Sequence, residues 1–344
     1  MSPVIRECDR LNLDYFILHS GQHYSYEMDR IFFEQLGLPG AKYNLDVGSG
    51  SHGEQTGKML VGIEKILDEE EPDVVLVEGD TNTVLAGALA AAKLKIPVGH
   101  VEAGLRSFDR TMPEEINRVL ADHSSDFLFA PTELSKKNLL NEGIQEEKIF
   151  VTGNTIVDAV YQNLELSKDR SEILNELGLN EKDFFLITIH RQENVDSQER
   201  LASITKSLQG IKSVFGIDLI YPVHPRTKKC LKAFGINLDG VRCVKPLDYL
   251  SFLHLQRKAR LVLTDSGGVQ EEACILKVPC VTLRDNTERP ETLDVGSNVL
   301  AGTSPETVLE KTKMMLNASN GWINPFGDGN AGKKIIEILR CKFD

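Results

Sequence analysis

The chain has 344 residues, 41% of them hydrophobic and 26% charged, with a formal net charge of −12. That balance excludes a disordered chain, a collagen-like fibre and a disulfide-dense mini-protein. The acidic excess argues against nucleic acid or an anionic membrane as the default partner, yet leaves room for a local basic pocket that takes a phosphorylated small molecule.

Short apolar, β-rich runs alternate with helix-length patterns along the whole chain. A helical pattern opens it at Pro3–Arg10. Strands are predicted at Tyr15–Ser20, Val74–Glu78, Val98–Glu102, Phe127–Ala130 and Ile149–Thr152, then at Phe185–Ile189, Leu219–Pro222, Leu261–Thr264 and Cys280–Leu283. Helices such as Thr83–Lys93 and Glu115–His123 fall between them. This is the pattern of βα units around parallel sheets, whose buried strands read as continuous apolar runs. The length exceeds what one core comfortably serves, so two domains are expected. The alternation breaks in the polar, helical stretch 158–183, which places the boundary there. The first domain is read as 1–157 plus the final helix, 327–344, and the second as 158–326. A doubly wound domain normally begins with a central strand whose loop forms part of the ligand site. The helical opening therefore predicts that this strand and loop are missing from the chain as written.

Six scattered cysteines include no C-x-x-C pair and mostly sit in apolar stretches, as free core thiols do in a reducing compartment. The most apolar stretch, about Val84–Ala92, is too short for a bilayer, which needs about 20 residues. With no signal-peptide pattern at the start, the reading is cytoplasmic.

Four clusters carry chemistry. The strand Leu261–Thr264, the turn Asp265-Ser-Gly-Gly268 and the helix Val269–Leu276 make an anion site: unpaired N–H groups point outward, the helix dipole favours negative charge, and glycine admits a phosphate. Glu272 in that helix is suited to accept hydrogen bonds from a ribose diol. The plainer reading is an ordinary helix start capped by Ser266 or Asp265. In the first half, Asp80 and Glu102 end successive strands, where ligands collect in open α/β sheets, and Glu114 and Arg118 share a helix face. That last pair also reads as a surface i,i+4 ion pair. Three carboxylates at one sheet edge would have separated pKa values, as acid–base work requires. His190, beside Arg191, ends the second domain's first strand; His224 ends the next. Finally, Arg289 in Thr287-Glu-Arg-Pro-Glu291 suits a diphosphate, or is part of a surface loop. No Walker loop, G-x-G-x-x-G, nucleophile elbow or metal-spaced His/Cys set is present.

The strings G-D-T-N-T (79–83), H-V-E-A-G-L-R (100–106), P-E-E-I-N-R (113–118), T-D-S-G-G-V-Q-E-E (264–272), T-E-R-P-E (287–291) and N-P-F-G-D-G (324–329) occur in order over essentially the whole chain. Together they resemble the non-hydrolysing UDP-N-acetylglucosamine 2-epimerases. The resemblance implies two Rossmann-like domains in a GT-B arrangement with the active site in the cleft, acting as a homodimer without cofactor or metal. It implies reversible conversion of UDP-GlcNAc to UDP-ManNAc by elimination of UDP to a 2-acetamidoglucal and re-addition, supplying surface polysaccharide or glycoprotein glycans. By position, Ser266, Gly267 and Gly268 would hold the diphosphate and Glu272 the ribose. Phe252 and the backbone near Leu247 would flank the uracil, Arg289 would reach the phosphates, and Asp80, Glu102, Glu114, Arg118 and His190 would serve the sugar. Gln22, His23 and His224 resemble parts of a second, regulatory UDP-GlcNAc site, although the loop Tyr24–Tyr26 departs from the bacterial spacing. The competing readings are a GT-B UDP-sugar glycosyltransferase, a hydrolysing epimerase that releases free ManNAc, and a UDP-sugar-binding protein without catalysis.

Overall fold

A computed structural model describes residues 1–21, 33–167 and 172–343. The chain divides into two units, Met1–Ala159 with Phe326–Asp344, and Val160–Pro325. Each has its own parallel sheet.

In the first unit β1 (Leu18–His19) and β2 (Tyr43–Asn44) form a short parallel pair, and β3 (Val75–Glu78), β4 (Val98–Val101), β5 (Phe127–Ala130) and β6 (Ile149–Val151) form a four-stranded sheet in chain order. Among the described residues no ladder joins the pair to the larger sheet; the Ser20 and Thr83 hydroxyls meet instead, at 2.7 Å. β4 is buried at every position, so its neighbours must supply apolar surface. One face is covered by the helices His52–Glu70 and Asn82–Lys93, whose inward residues Met59, Ile63, Val84 and Ala88 join Val77 and Val98 in one cluster. The other is covered by the helices Ser2–Arg10 and Ala331–Phe343, through Val4, Cys8, Ile335, Ile336 and Leu339 against Val101 and Phe129. The last helix is pinned at its start by Asp158, whose carboxylate accepts from the N–H groups of Ala331 and Gly332, an acidic anchor at the positive end of a helix.

The second unit's strands are β7 (Phe184–Thr188), β8 (Asp218–Pro222), β9 (Val241–Val244), β10 (Leu261–Thr264), β11 (Cys280–Thr282) and β12 (Asn298–Leu300). They form one sheet in the order β12–β11–β10–β7–β8–β9, all parallel. Alternate residues of β7 feed opposite cores. Phe185 and Ile187 pack with the helices Gln198–Phe215 and Pro305–Leu316 through Leu208, Ile211, Val308 and Met315. Phe184 and Leu186 pack with Leu255, Ala259 and Ala273. Because β7 has β8 on one side and β10 on the other, the chain order reverses between β7 and β10. Such a switch point is where open α/β sheets hold ligands.

The strands buried on both faces lie close to their predicted positions. The first is a correction: Tyr15–Ser20 forms a ladder only at Leu18–His19. Three strands carry no sequence signal, β2, β9 and β12, and all three lie at sheet edges. An edge strand packs less and keeps polar residues; in β9, Arg242 and Cys243 are exposed. The continuous apolar run that marks a buried strand is therefore missing. No helix among the described residues is long and apolar enough to cross a membrane.

Candidate active site

In the second unit the ends of β7 and β10 are tied together by one carboxylate. Asp265, fully buried, accepts from the backbone N–H of His190 at 3.0 Å, from that of Arg191 at 3.0 Å and from the Asn194 side chain at 3.1 Å. It is thus not a cap for the helix that follows. That helix, Gly267–Ile275, begins without a side-chain cap: the Ser266 hydroxyl makes no capping bond, and the Ser266 N–H is taken by Thr264 Oγ1. The first-turn N–H groups keep their need for an acceptor, and open space surrounds the position of a Cβ at Gly268. Gly267 is glycine for another reason. A Cβ there would stand 2.3 Å from Glu288 Oε1, and Glu288 is held by Arg191 at 3.0 Å and Arg284 at 2.8 Å.

Glu272, two turns into the helix, is buried and accepts from the Tyr249 hydroxyl at 2.9 Å. Burial pushes its carboxyl up to about 7, with the tyrosine bond opposing. Leu247, Phe252 and Val269 of this helix each pack, partly buried, against the same core cluster. Arg289 does not belong to an exposed surface loop, the plainer of its two sequence readings: it is buried and ion-paired, Nε to Glu271 Oε1 at 2.8 Å. His190 is half exposed, with Nδ1 3.4 Å from Asp265 Oδ1. Desolvation holds its imidazolium below the usual range despite Asp265, and Arg191 and His224 add to the effect. His224 is exposed and caps the helix Pro225–Ala233, its Nδ1 accepting from the Arg226 N–H at 3.2 Å. Gln22 and His23 lie outside the described residues.

In the first unit, Asp80 and Glu102 follow the paired strands β3 and β4. Gly79 turns at φ +88°, and Glu102 itself has φ +69°, a left-handed backbone for a non-glycine residue. A Cβ at Gly79 would lie 3.9 Å from Glu102 Oε2, so the Glu102 carboxylate lies over this turn. Arg118, buried on the helix Pro113–His123, donates to Asp80 Oδ2 from Nη2 at 2.6 Å and Nε at 3.1 Å, and from Nη1 to Glu115 at 2.7 Å. This corrects the sequence pairing of Arg118 with Glu114, which lies half-buried in the helix's first turn. Asn117 donates to the Asp80 carbonyl at 2.9 Å. Although burial opposes it, Glu115 is held below the usual carboxylate range by the N–H groups of Ser107 and Phe108 and by Arg118.

The sequence profile of the UDP-N-acetylglucosamine 2-epimerase family matches residues 6–340. The chain belongs to that family. The UDP-N-acetylglucosamine 2-epimerase of Methanocaldococcus jannaschii is 57% identical over 98% of this chain and 94% of its own length. The crystal structure of the M. jannaschii enzyme in complex with UDP-GlcNAc and UDP superposes with a TM-score of 0.93, covering 99% of this chain and 95% of that one. The Neisseria meningitidis UDP-GlcNAc 2-epimerase bound to UDP-GlcNAc, 35% identical, gives 0.92, covering 99% and 96%.

Sequence reasoning missed the groups that hold the epimerase-family motifs in place. Asp265 and Arg118 were in view, but their partners lie 75 and 38 positions away. Glu115 and Asp122, both buried on the helix Pro113–His123, had a usable signal. Each is a carboxylate among residues whose pattern turns inward, and a buried carboxylate requires a partner.

Proposed function

We propose that the chain interconverts UDP-GlcNAc and UDP-ManNAc without hydrolysis, by removing the C2 proton with loss of UDP from C1, then returning UDP to C1 on its original face while a proton is delivered to the opposite face of C2. UDP is assigned to the second unit. The uncapped helix start at Ser266–Gly268 receives the diphosphate, Glu272 the ribose, and Phe252 with Leu247 the uracil. Arg191, His190 and the helix dipole stabilise the charge that develops on the leaving diphosphate. C2 chemistry is assigned to the first unit. The C2 proton is weakly acidic, so a positioned carboxylate base is needed. Asp80, Glu102 and Glu114 are the candidates, with Arg118 fixing Asp80. Elimination and re-addition leave C2 at its original oxidation state, so no redox cofactor is required. The product would supply surface polysaccharide or glycoprotein glycan synthesis, and the active form is proposed as a homodimer.

The observation that carries this reading is the strained Glu102 turn beside an arginine-fixed Asp80 at the ends of adjacent strands. Such strain persists only where the surroundings over-determine it, and it clusters at active sites and ligand clamps; its place between two strand-end carboxylates supports the catalytic reading. Chromatography of the products from UDP-GlcNAc tests the reading. UDP-ManNAc at equilibrium with substrate is expected; free ManNAc with UDP would place the chain among the hydrolysing enzymes.

A further inference from the structure

His100 lies on β4, fully buried beneath the Asp80–Glu102 edge, and the proposed chemistry does not use it. Its Nε2 lies 2.9 Å from the Gly79 carbonyl and its Nδ1 2.6 Å from Asp122 Oδ1. A carbonyl only accepts, so Nε2 carries a proton. Asp122, also buried, receives the Gly104 N–H at 3.2 Å and Arg106 Nη2 at 2.7 Å on its other oxygen. Those donors stabilise the carboxylate anion, so the proton of the 2.6 Å contact belongs to Nδ1. Both ring nitrogens therefore donate.

We infer that His100 is a buried imidazolium and a positioning residue, setting through Gly79 and Asp122 the two turns that present Asp80 and Glu102. The inference rests on the proposed epimerase reading for its catalytic consequence, but not for the protonation state. The ring grips the Gly79 carbonyl one residue before Asp80. Asp122 grips the Gly104 N–H two residues after Glu102. Between them they hold the left-handed turns at Gly79 and Glu102, and a non-glycine residue in that region is retained only under such constraint. The charged groups around the ring are Asp122 on the helix Pro113–His123 and Glu102 after β4; beyond Asp122 stand Arg106 and, bidentate on Arg106, Glu142. The anions facing the ring favour its charged form. Losing the proton would cost one of its two bonds and free one turn.

The test uses the full chain labelled with ¹⁵N-histidine, together with His100→Gln and Asp122→Asn. In the wild type at pH 8, one imidazole should show both ring nitrogens protonated, with slowly exchanging N–H signals that vanish in His100→Gln. Because a misplacement near 1 Å costs about 100-fold, His100→Gln should lower kcat by about that factor. UDP affinity should stay within about twofold, since the change concerns position rather than nucleotide binding. The wild-type kcat should fall at alkaline pH together with the ring N–H signals, and the variant should lack that limb. A His100 with one bare ring nitrogen at pH 8 overturns the inference, as does a folded His100→Gln with normal kcat. If the wild type fails to epimerise UDP-GlcNAc while the doubly protonated ring is seen, the functional reading fails and the imidazolium stands. Should His100→Gln not fold, the ring signals of the wild type and of Asp122→Asn decide: Asp122→Asn is expected to leave one nitrogen bare, and an unchanged ring there overturns the role given to Asp122.

Discussion

Burial within the uncapped helix Gly267–Ile275 lifts the Glu272 carboxyl to about 7. The sign of the linkage follows. Between about 4.5 and 7 the folded chain keeps a proton that the unfolded chain has lost, so this group's contribution to stability falls as pH rises through that window and stays low above it. At about 1.4 kcal/mol per pH unit, the loss reaches about 3 kcal/mol. Glu272→Gln should therefore melt higher than the wild type at pH 8, melt about equally at pH 4.5, and bind UDP more weakly; equal melts at both pH values would contradict the burial argument. Asp80→Asn and Glu114→Gln should instead leave UDP binding nearly intact and reduce kcat by at least ~100-fold, the scale of a lost general acid or base. Arg118 is committed to Asp80 and Glu115, so loss of an ion pair with Glu114 would not explain a defect in Glu114→Gln. Normal turnover in that variant removes Glu114 from the catalytic group. The residue types at the site were legible because strand ends and a Gly-Gly turn mark them. Their partners were not: Arg118 reaches back to β3, and Arg289 turns inward to Glu271, choices made by tertiary packing rather than by local sequence.

The turn after β4 shows how an element is fixed by one small residue. Gly104 has φ +80°, and a Cβ there would stand 2.3 Å from the Ser135 carbonyl oxygen, on a neighbouring helix. Gly104→Ala combines left-handed strain with overpacking, about 2–5 kcal/mol in all. A large drop in the urea midpoint is expected, with loss of turnover; an unchanged midpoint would mean the helix Glu133–Asn141 gives way freely. Of the elements, β7 and β10 were readable because burial on both faces demands an unbroken apolar run, and edge strands escape that demand. Pro113 at the first helical position and the Ser197 and Asp248 side-chain caps mark helix starts that local chemistry alone accounts for.

At the scale of the whole molecule, the proposed reading assigns nucleotide and sugar chemistry to two units with separate cores, so the two should be separable by measurement. UDP alone should slow amide exchange at 247–252 and 264–272, because a ligand bound to the native form suppresses local opening around its site. Exchange at 79–80 and 100–106 should change little; protection confined to the first unit would reverse the assignment. The central claim is carboxylate-driven elimination at C2, and incubation with UDP-GlcNAc in deuterated water, followed by NMR at C2, tests it most directly. The account predicts deuterium at C2 of both UDP-GlcNAc and UDP-ManNAc, with the sugar still joined to UDP. Epimerisation that retains the original C2 proton in undiluted yield would contradict it.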